Sequence, residues 1–167
     1  MEESTTRSYR LSKKLSQLFD LESNIETVLS VFMYYINEII GYERSSIFLF
    51  QHWDQQLTIF SSLDLEKHED SIPKACGAAG WVFTNHEPAV VNKAYKDPRF
   101  CKDLDDMTGF KNNNIVCAPL ILSKQLCLGT IQLLNKKEWD FNDNDLDFLK
   151  LSANMVAISI NNRNLYN

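Results

Sequence analysis

Two apolar runs in the second half of the chain are separated by a turn of only three residues. Residues 115–122 and 126–134 flank the polar turn 123–125, and their branched and apolar side chains are typical of β-strands. Strands joined this closely pair antiparallel, since a parallel pair needs a much longer crossover connection. This hairpin predicts that the chain is built around an antiparallel sheet.

Further strands are predicted upstream of this hairpin. Residues 44–50 alternate between two faces, residues 52–55 form a turn, and residues 57–60 return as a partner strand. Residues 64–70 are charged and predict a surface loop, and Pro88 precedes a short strand at 89–91. The antiparallel sheet is therefore expected to contain about five to six strands.

Helical periodicity precedes the strands. Apolar residues recur at helical spacing within 11–19 and again within 25–40, and Gly41 is placed to end the second helix. With a further helix at the end of the chain, the order predicts an α+β fold whose terminal helices cover the sheet. We assign residues 1–22 as a helical lead-in and residues 23–167 as the main domain.

The last helix carries two apolar stripes and is expected to begin at Asn142 or Asp143. The first stripe comprises Leu146, Leu149, Ala153, Val156 and Ile160, and the second comprises Phe148, Leu151, Met155 and Ile158. One stripe can cover the sheet. The second either supports dimerisation or belongs to a wide face buried within one monomer.

A segment of small residues is the strongest sign of a binding site. Residues 77–80 read Gly-Ala-Ala-Gly and open a short helix that ends near Asn85. Unpaired amides and the positive end of the helix dipole favour an anionic group there, although small residues at a helix start also serve packing. Between Asn92 and Asn114 lies a long polar segment with little apolar periodicity, which we call the lobe and which could fold over the same end as a lid.

Composition excludes several classes of protein. The 17 basic and 22 acidic side chains give 17 − 22 = −5, which argues against a nucleic-acid partner. The longest apolar run is too short to cross a bilayer, so no membrane insertion is expected. The start of the chain has no secretory signal, and cysteines at 76, 101, 117 and 127 fit neither a zinc spacing nor a Cys-x-x-Cys pair. Free thiols and a cytoplasmic location are expected.

Enzyme motifs are absent from the sequence. It contains no Gly-x-Ser-x-Gly, no His-Glu-x-x-His and no phosphate loop, and its three histidines fall in predicted turns or polar loops. Cys76 lies just before a helix start that would stabilise a thiolate, but no histidine is adjacent to activate it. We therefore expect no catalytic residue, no metal and no catalytic cofactor.

Taken together, several segments resemble a GAF domain. They are the run at 77–82, Tyr-Lys-Asp-Pro-Arg-Phe at 95–100, Asp-Asp-Met-Thr-Gly-Phe at 105–110, Cys-Ala-Pro-Leu at 117–120 and Gly-Thr-Ile-Gln-Leu-Leu-Asn-Lys at 129–136. The resemblance extends over roughly residues 24–166 and is greatest to the regulatory GAF domains of cyclic-nucleotide phosphodiesterases and bacterial adenylyl cyclases. It implies a sheet with the terminal helices on one side and a ligand-covering lobe on the other.

Those regulatory domains carry a signature of Asn-Lys, then Phe, then Asp-Glu. It reads here as Asn135, Lys136, Phe141 and Asp145, with Leu146 in place of the glutamate. A lysine at a strand end and an aspartate in the first turn of the last helix are expected to form an ion pair that fixes strand to helix.

The resemblance also implies a cyclic-nucleotide pocket. Ser46 and Gln132 would address the base edge beside Phe60 and Asn112, while Ala78 and Ala79 would offer amides to the phosphate. Asp105 and Thr108 would close over the ligand. Cys101 and Ala78 replace residues that are usually larger, and so leave the pocket roomier.

Three functions follow from these observations. The first is a non-catalytic sensor that binds cAMP or cGMP and signals through a helical homodimer to an attached cyclase or phosphodiesterase. The second is a GAF domain that binds no ligand and serves only dimerisation. The third is a GAF-type free methionine sulfoxide reductase, which would need cysteines converging on the pocket and would depend on Cys101 and Cys117.

Overall fold

Six strands form one sheet in this computed structural model, which describes residues 2–21, 24–63 and 71–166. The strands are β1 (Tyr42–Gln51), β2 (Gln56–Leu63), β3 (Ser71–Pro73), β4 (Ala89–Val91), β5 (Ile115–Ser123) and β6 (Leu126–Lys136). Their spatial order is β3-β2-β1-β6-β5-β4, and every neighbouring pair is antiparallel. The antiparallel sheet predicted from the 115–134 hairpin is confirmed. The predicted loop at 64–70 lies outside the described residues.

Three long helices cover one face of the sheet. They are α1 (Glu2–Leu21), α2 (Ile25–Ile40) and α5 (Asp143–Tyr166). Their apolar side chains and those of the underlying strands form one buried cluster, which we call the helix-side core. Leu11 and Leu15 of α1 belong to it, so the predicted lead-in packs against the rest of the domain.

The predicted ends of α2 are confirmed. The Asn24 side chain accepts hydrogen bonds from the amides of Glu26 and Thr27 at 2.9 and 3.2 Å, as an N-cap does. Gly41 follows the last turn with φ of 72°, and its amide donates to Asn37 O at 2.8 Å. This left-handed residue turns the chain directly into β1.

The centre of the sheet is the long-range pairing of β1 with β6. Gly129 lies opposite Leu49, and a Cβ at Gly129 would be 1.9 Å from Phe48 O. A side chain there would force the two backbones apart, so only glycine permits this approach. The turn-linked pairs β1–β2 and β5–β6 then extend the sheet on either side.

Shorter elements cover the opposite face. They are α3 (Gly77–Asn85), a 3₁₀ turn (Ala94–Lys96) and α4 (Lys102–Thr108), the last two within the lobe. A second buried cluster, the lobe-side core, lies between them and the sheet. The lobe was expected to be irregular and instead contains these two short helices, which are too brief to show apolar periodicity in the sequence.

Most of the first apolar stripe of α5 is buried. Leu149, Ala153, Val156 and Ile160 belong to the helix-side core, whereas Ile158 of the second stripe is 55% exposed. Among the described helices, none is both long and apolar enough to cross a bilayer.

Candidate functional site

A polar pair interrupts the apolar face of the sheet beneath the lobe. Ser46 and Gln132 are opposite each other in the β1–β6 pairing, and Gln132 Nε2 donates to Ser46 Oγ at 3.1 Å. Cys117 on β5, the next residue in this row, belongs to the lobe-side core, which shows that the row faces the lobe. The structure thus brings together the two side chains expected to address a base edge.

The start of α3 packs over the same face. Ala78 and Ala79 are buried in the lobe-side core. The first amide with an intrahelical acceptor is that of Gly80, which donates to Cys76 O at 3.1 Å, and the N-cap residue Cys76 makes no side-chain capping bond. The amides of Gly77, Ala78 and Ala79 precede that bond and are the donors that a helix start presents to an anion.

Asp105 is the centre of the lobe's hydrogen bonding. Its carboxylate is buried and accepts from Tyr95 Oη at 2.5 Å, from the Asn112 amide at 2.8 Å and from Asn112 Nδ2. The hydrogen bond to Asp105, followed by burial, raises the pKa of Tyr95 to about 12. Asp105 therefore ties the 3₁₀ turn, α4 and the end of the lobe together.

Asn112 carries an unsatisfied acceptor. Its Oδ1 is buried and has no hydrogen-bond partner among the described residues. Buried polar atoms in folded proteins are nearly always paired. An acceptor left open beside Asp105 is therefore suited to a donor supplied by a ligand.

Phe60 was expected in the pocket, and the structure corrects this. In the pairing of β1 with β2, Ile47 lies opposite Ser61 and Phe48 opposite Ile59, so Phe60 is the extra residue of a β-bulge. Leu57 and Ile59 belong to the lobe-facing side of β2, and Phe60, on the other side, packs against the helix-side core, away from the lobe.

Cys101 and Thr108 belong to α4 and its cap. Cys101 is the N-cap residue of α4 and is half-buried, and Thr108 is the last residue of that helix. The side chain of Thr108 lies outside the described residues.

A groove with a volume of about 570 Å³ opens between α3 and the lobe. Trp81, Arg99 and Phe100 line it together with two thiols, Cys76 and Cys101. The Arg99 guanidinium carbon lies 5.1 Å from the centre of the Trp81 ring, within cation–π range. The groove is therefore mostly apolar, with one cation stacked on its wall.

Arg99 is held by Asp97. Arg99 Nε and Nη2 donate to the two carboxylate oxygens at 2.9 and 2.7 Å. These hydrogen bonds lower the pKa of Asp97 and raise that of Arg99. The Asp97 carboxylate therefore neutralises much of the charge of Arg99 within the lobe.

Asn135 of the signature joins the lobe to the sheet. It has a left-handed φ of 54°, and its Oδ1 accepts from the amides of Asn113 and Asn114 at 2.8 and 3.4 Å. Its Nδ2 donates to Glu43 Oε2 and to Lys111 O, both at 2.9 Å. One buried side chain thus fixes the end of the lobe to the sheet.

The expected ion pair of the signature is present. Lys136 Nζ lies 2.5 Å from Asp145 Oδ2, and both side chains are mostly buried. Asn142 and Asp145 also bond reciprocally, each side chain accepting from the other's amide at 3.0 Å, which is a capping box at the start of α5. Asp145 therefore caps the helix and binds the strand end at once.

Phe141, the remaining signature residue, is buried in the helix-side core. Asn92 pairs with its backbone twice: Asn92 Nδ2 donates to Phe141 O at 2.9 Å, and Phe141 N donates to Asn92 Oδ1 at 3.0 Å. Leu146, in place of the glutamate, packs against the same core.

Sequence reasoning missed three residues that hold the lobe. Tyr95 bonds Asp105, Asn92 clamps Phe141, and Asn114 accepts the Lys136 amide through Oδ1 at 2.8 Å. Asn92 and Asn114 lie at the two ends of the lobe. This position is the one feature of the sequence that could have indicated their role in holding it.

The four cysteines differ in accessibility. Cys117 is fully buried, whereas Cys76, Cys101 and Cys127 are half-buried. Burial raises the pKa of both Cys117 and Cys127. The two cysteines that line the groove are therefore Cys76 and Cys101, and not Cys101 and Cys117.

We expect iodoacetamide at pH 8 to modify Cys76 and Cys101 of the native protein before Cys127, and Cys117 only after unfolding. A raised pKa lowers the thiolate fraction at a given pH, and burial blocks the reagent. Peptide mass spectrometry over a time course measures the order. Rapid labelling of Cys117 in the folded protein would contradict this structure.

Within the described part of the chain, no three or more His, Cys, Asp or Glu side chains are grouped so as to hold a metal ion. The chemistry available at this face includes amide and hydroxyl hydrogen bonding, aromatic stacking, two thiols, the Asp105 carboxylate and the Arg99 guanidinium.

This architecture is that of a known family. The GAF domain model matches residues 24–160, and the chain belongs to that family. The fold is shared with the GAF domain of an Acinetobacter phosphoenolpyruvate-protein phosphotransferase, with a TM-score of 0.81, 17% identity and coverage of 98% of this chain and 96% of that one. It is shared equally with free methionine-R-sulfoxide reductase from Neisseria meningitidis, with a TM-score of 0.81, 15% identity and coverage of 100% and 95%.

Curated relatives are cyclic-nucleotide phosphodiesterases. The chain is 29% identical over 163 residues to the dual 3′,5′-cyclic-AMP and -GMP phosphodiesterase 11 of Drosophila melanogaster, covering 89% of this chain. It is 25% identical over 155 residues to a probable 3′,5′-cyclic phosphodiesterase of Caenorhabditis elegans, covering 86% of this chain. The chain spans only 11% and 21% of the length of these two relatives.

Proposed function

We propose that this GAF domain is a regulatory sensor that binds a cyclic nucleotide, cAMP or cGMP, between the sheet and the lobe. The observation that carries the proposal is the polar pair Ser46–Gln132 on the lobe-facing side of the sheet, beneath the start of α3. A serine hydroxyl and a glutamine amide offer both donors and acceptors, as the edge of a purine requires.

The start of α3 suits the phosphate. A cyclic phosphate bears one negative charge, and the amides of Ala78 and Ala79 with the helix dipole can hold one anion without a basic side chain. This agrees with a chain whose net charge is −5. The relatives that contain such a segment are cyclic-nucleotide phosphodiesterases by name, which supports the same ligand class.

The lobe supplies the lid. The Asp105 hydrogen bonds give it one defined arrangement over the site, and the open acceptor of Asn112 can receive a donor from the ligand. Ligand binding would hold the lobe closed over the site, and α5 would carry this change to an output domain, a cyclase or phosphodiesterase.

The terminal helices provide a surface for a homodimer. Leu149 cannot contact a second copy, because it is completely buried within one monomer. Ile158 is the better probe because it is 55% exposed on the second stripe. Ile158→Asp should reduce the dimer population in sedimentation, whereas Gln125→Asp, which adds the same charge in the exposed turn between β5 and β6, should leave it unchanged.

Thermal unfolding with and without nucleotide tests the sensor. A ligand that binds only the folded state raises the apparent stability by about 2.7 kcal/mol at a hundredfold excess over Kd. We expect cAMP or cGMP to raise Tm and the 5′-monophosphates, which carry an additional charge, to do so much less. No shift at millimolar concentrations of either cyclic nucleotide would overturn the proposal and favour a domain that serves only dimerisation.

A second candidate function rests on the two thiols of the groove. Cys76 and Cys101 line one cavity with Trp81 and Phe100, which is the arrangement a free methionine sulfoxide reductase would need. Two thiols would reduce one sulfoxide to a thioether, forming one disulfide and releasing the oxygen as water. Formation of methionine from its free sulfoxide with dithiothreitol, abolished by Cys101→Ser but not by Cys127→Ser, would establish it, and no turnover by the wild type would exclude it.

A further inference from the structure

The sheet floor beneath the lobe contains a third polar side chain. Thr130 lies on β6 two residues before Gln132, and strand alternation places both on the lobe-facing side. Phe48, the residue opposite Thr130 on β1, belongs to the lobe-side core, which agrees with this placement. Thr130 is fully buried.

The Thr130 hydroxyl has no adequate partner. Its Oγ1 has no well-formed hydrogen bond among the described residues. Thr130 does interact with the thiol of Cys117, whose pKa is raised by burial and lowered to a smaller extent by this contact, but a thiol is a weak donor and a weak acceptor. A buried hydroxyl without a strong partner costs free energy, and a ligand that supplies a partner on the lobe-facing side would recover that cost.

We propose that Thr130 is a further contact of the bound nucleotide and that its hydroxyl bonds the polar edge of the purine from the sheet floor. This inference rests on the proposed function. Ser46, Gln132 and Thr130 form a continuous polar strip beneath the start of α3, next to the apolar side chains of the lobe-side core. A hydroxyl both donates and accepts, so the contact serves either adenine or guanine.

The test is a calorimetric titration of the wild type, Thr130→Val and Thr130→Ser with cAMP and cGMP. Valine keeps the branched shape and removes the hydroxyl, so Kd should rise at least fivefold while the Tm of the free domain stays the same or rises. Serine keeps the hydroxyl and should restore the wild-type Kd within about twofold.

Ser45 provides a matched control on the opposite face. Its Oγ is also buried and without a partner, but Ser45 is opposite Leu133, a member of the helix-side core. Ser45→Ala should leave Kd unchanged. Wild-type binding with the same Kd for Thr130→Val would overturn this inference alone, whereas no binding by the wild type would overturn it together with the proposed function.

Discussion

Asn135→Ala should lower the free energy of unfolding by about 3 kcal/mol and Tm by roughly 6–12 °C. The change removes the acceptor of two lobe amides and the donor to Glu43 and Lys111, and it leaves alanine in a left-handed conformation that costs about 1 kcal/mol. Asparagine tolerates that conformation better than most residues. Thermal and denaturant unfolding measure the effect.

Two variants separate the causes of that loss. Asn113 is an exposed neighbour that donates its backbone amide to Asn135, and Asn113→Ala keeps this hydrogen bond. The stability of this variant should stay within about 0.5 kcal/mol of the wild type. Asn135→Gly relieves the backbone but not the lost bonds and should fall between the other two. Equal stability of Asn135→Ala and the wild type would show that Asn135 does not hold the lobe to the sheet.

Asp105→Ala should weaken cyclic-nucleotide binding by roughly 10- to 100-fold. Its buried carboxylate accepts hydrogen bonds from Tyr95 and Asn112. Without it these donors are unpaired, which destabilises the closed arrangement of the lobe by about 1–3 kcal/mol. The sheet does not depend on these bonds, so the far-ultraviolet circular dichroism should be retained. Calorimetry gives Kd, and the same samples give Tm.

Asp106→Ala is the control for charge. Asp106 is the exposed neighbour on the same helix, so both variants change the net charge equally while only one disrupts the lobe. Equal Kd values for the two variants would mean that Asp105 acts through charge alone. An unaltered Kd for Asp105→Ala would show that the lobe does not contribute to nucleotide binding.

Local patterns predicted the elements that local physics determines. The three-residue turn at 123–125 required the β5–β6 hairpin, and the end of α2 was predicted from Gly41 because caps depend on adjacent residues. The ion pair of Lys136 with Asp145 followed from the signature, since both residues flank one short connection.

Other features depend on distant parts of the chain. The β1–β6 pairing joins strands about 80 residues apart, and no local pattern specifies it. Phe60 was placed in the pocket by the resemblance alone, but it packs on the face opposite to that of its neighbour Ile59. β3 contains only three residues, too few to show a pattern. The role of Asn135 could not be foreseen either, because its partners lie more than 20 residues away.

The candidate site was only partly predictable from local patterns, because it too depends on long-range strand pairing. Ser46 and Gln132 face each other because of the long-range pairing, which the resemblance supplied and the periodicity did not. The position of Thr130 on the same strand face as Gln132 could have been predicted from their spacing of two residues. Nothing in the sequence shows that its hydroxyl lacks a partner.

A titration of the isotopically labelled domain with cAMP and cGMP, followed by two-dimensional ¹H–¹⁵N NMR, tests most directly whether a cyclic nucleotide lies between sheet and lobe. We predict shifts of the amides of Gly77, Ala78 and Ala79 and of the Gln132 side-chain amide, with little change in the exposed turn at 123–125. Unchanged spectra at millimolar concentrations of both nucleotides, or shifts confined to residues distant from α3 and the lobe, would contradict the proposed site.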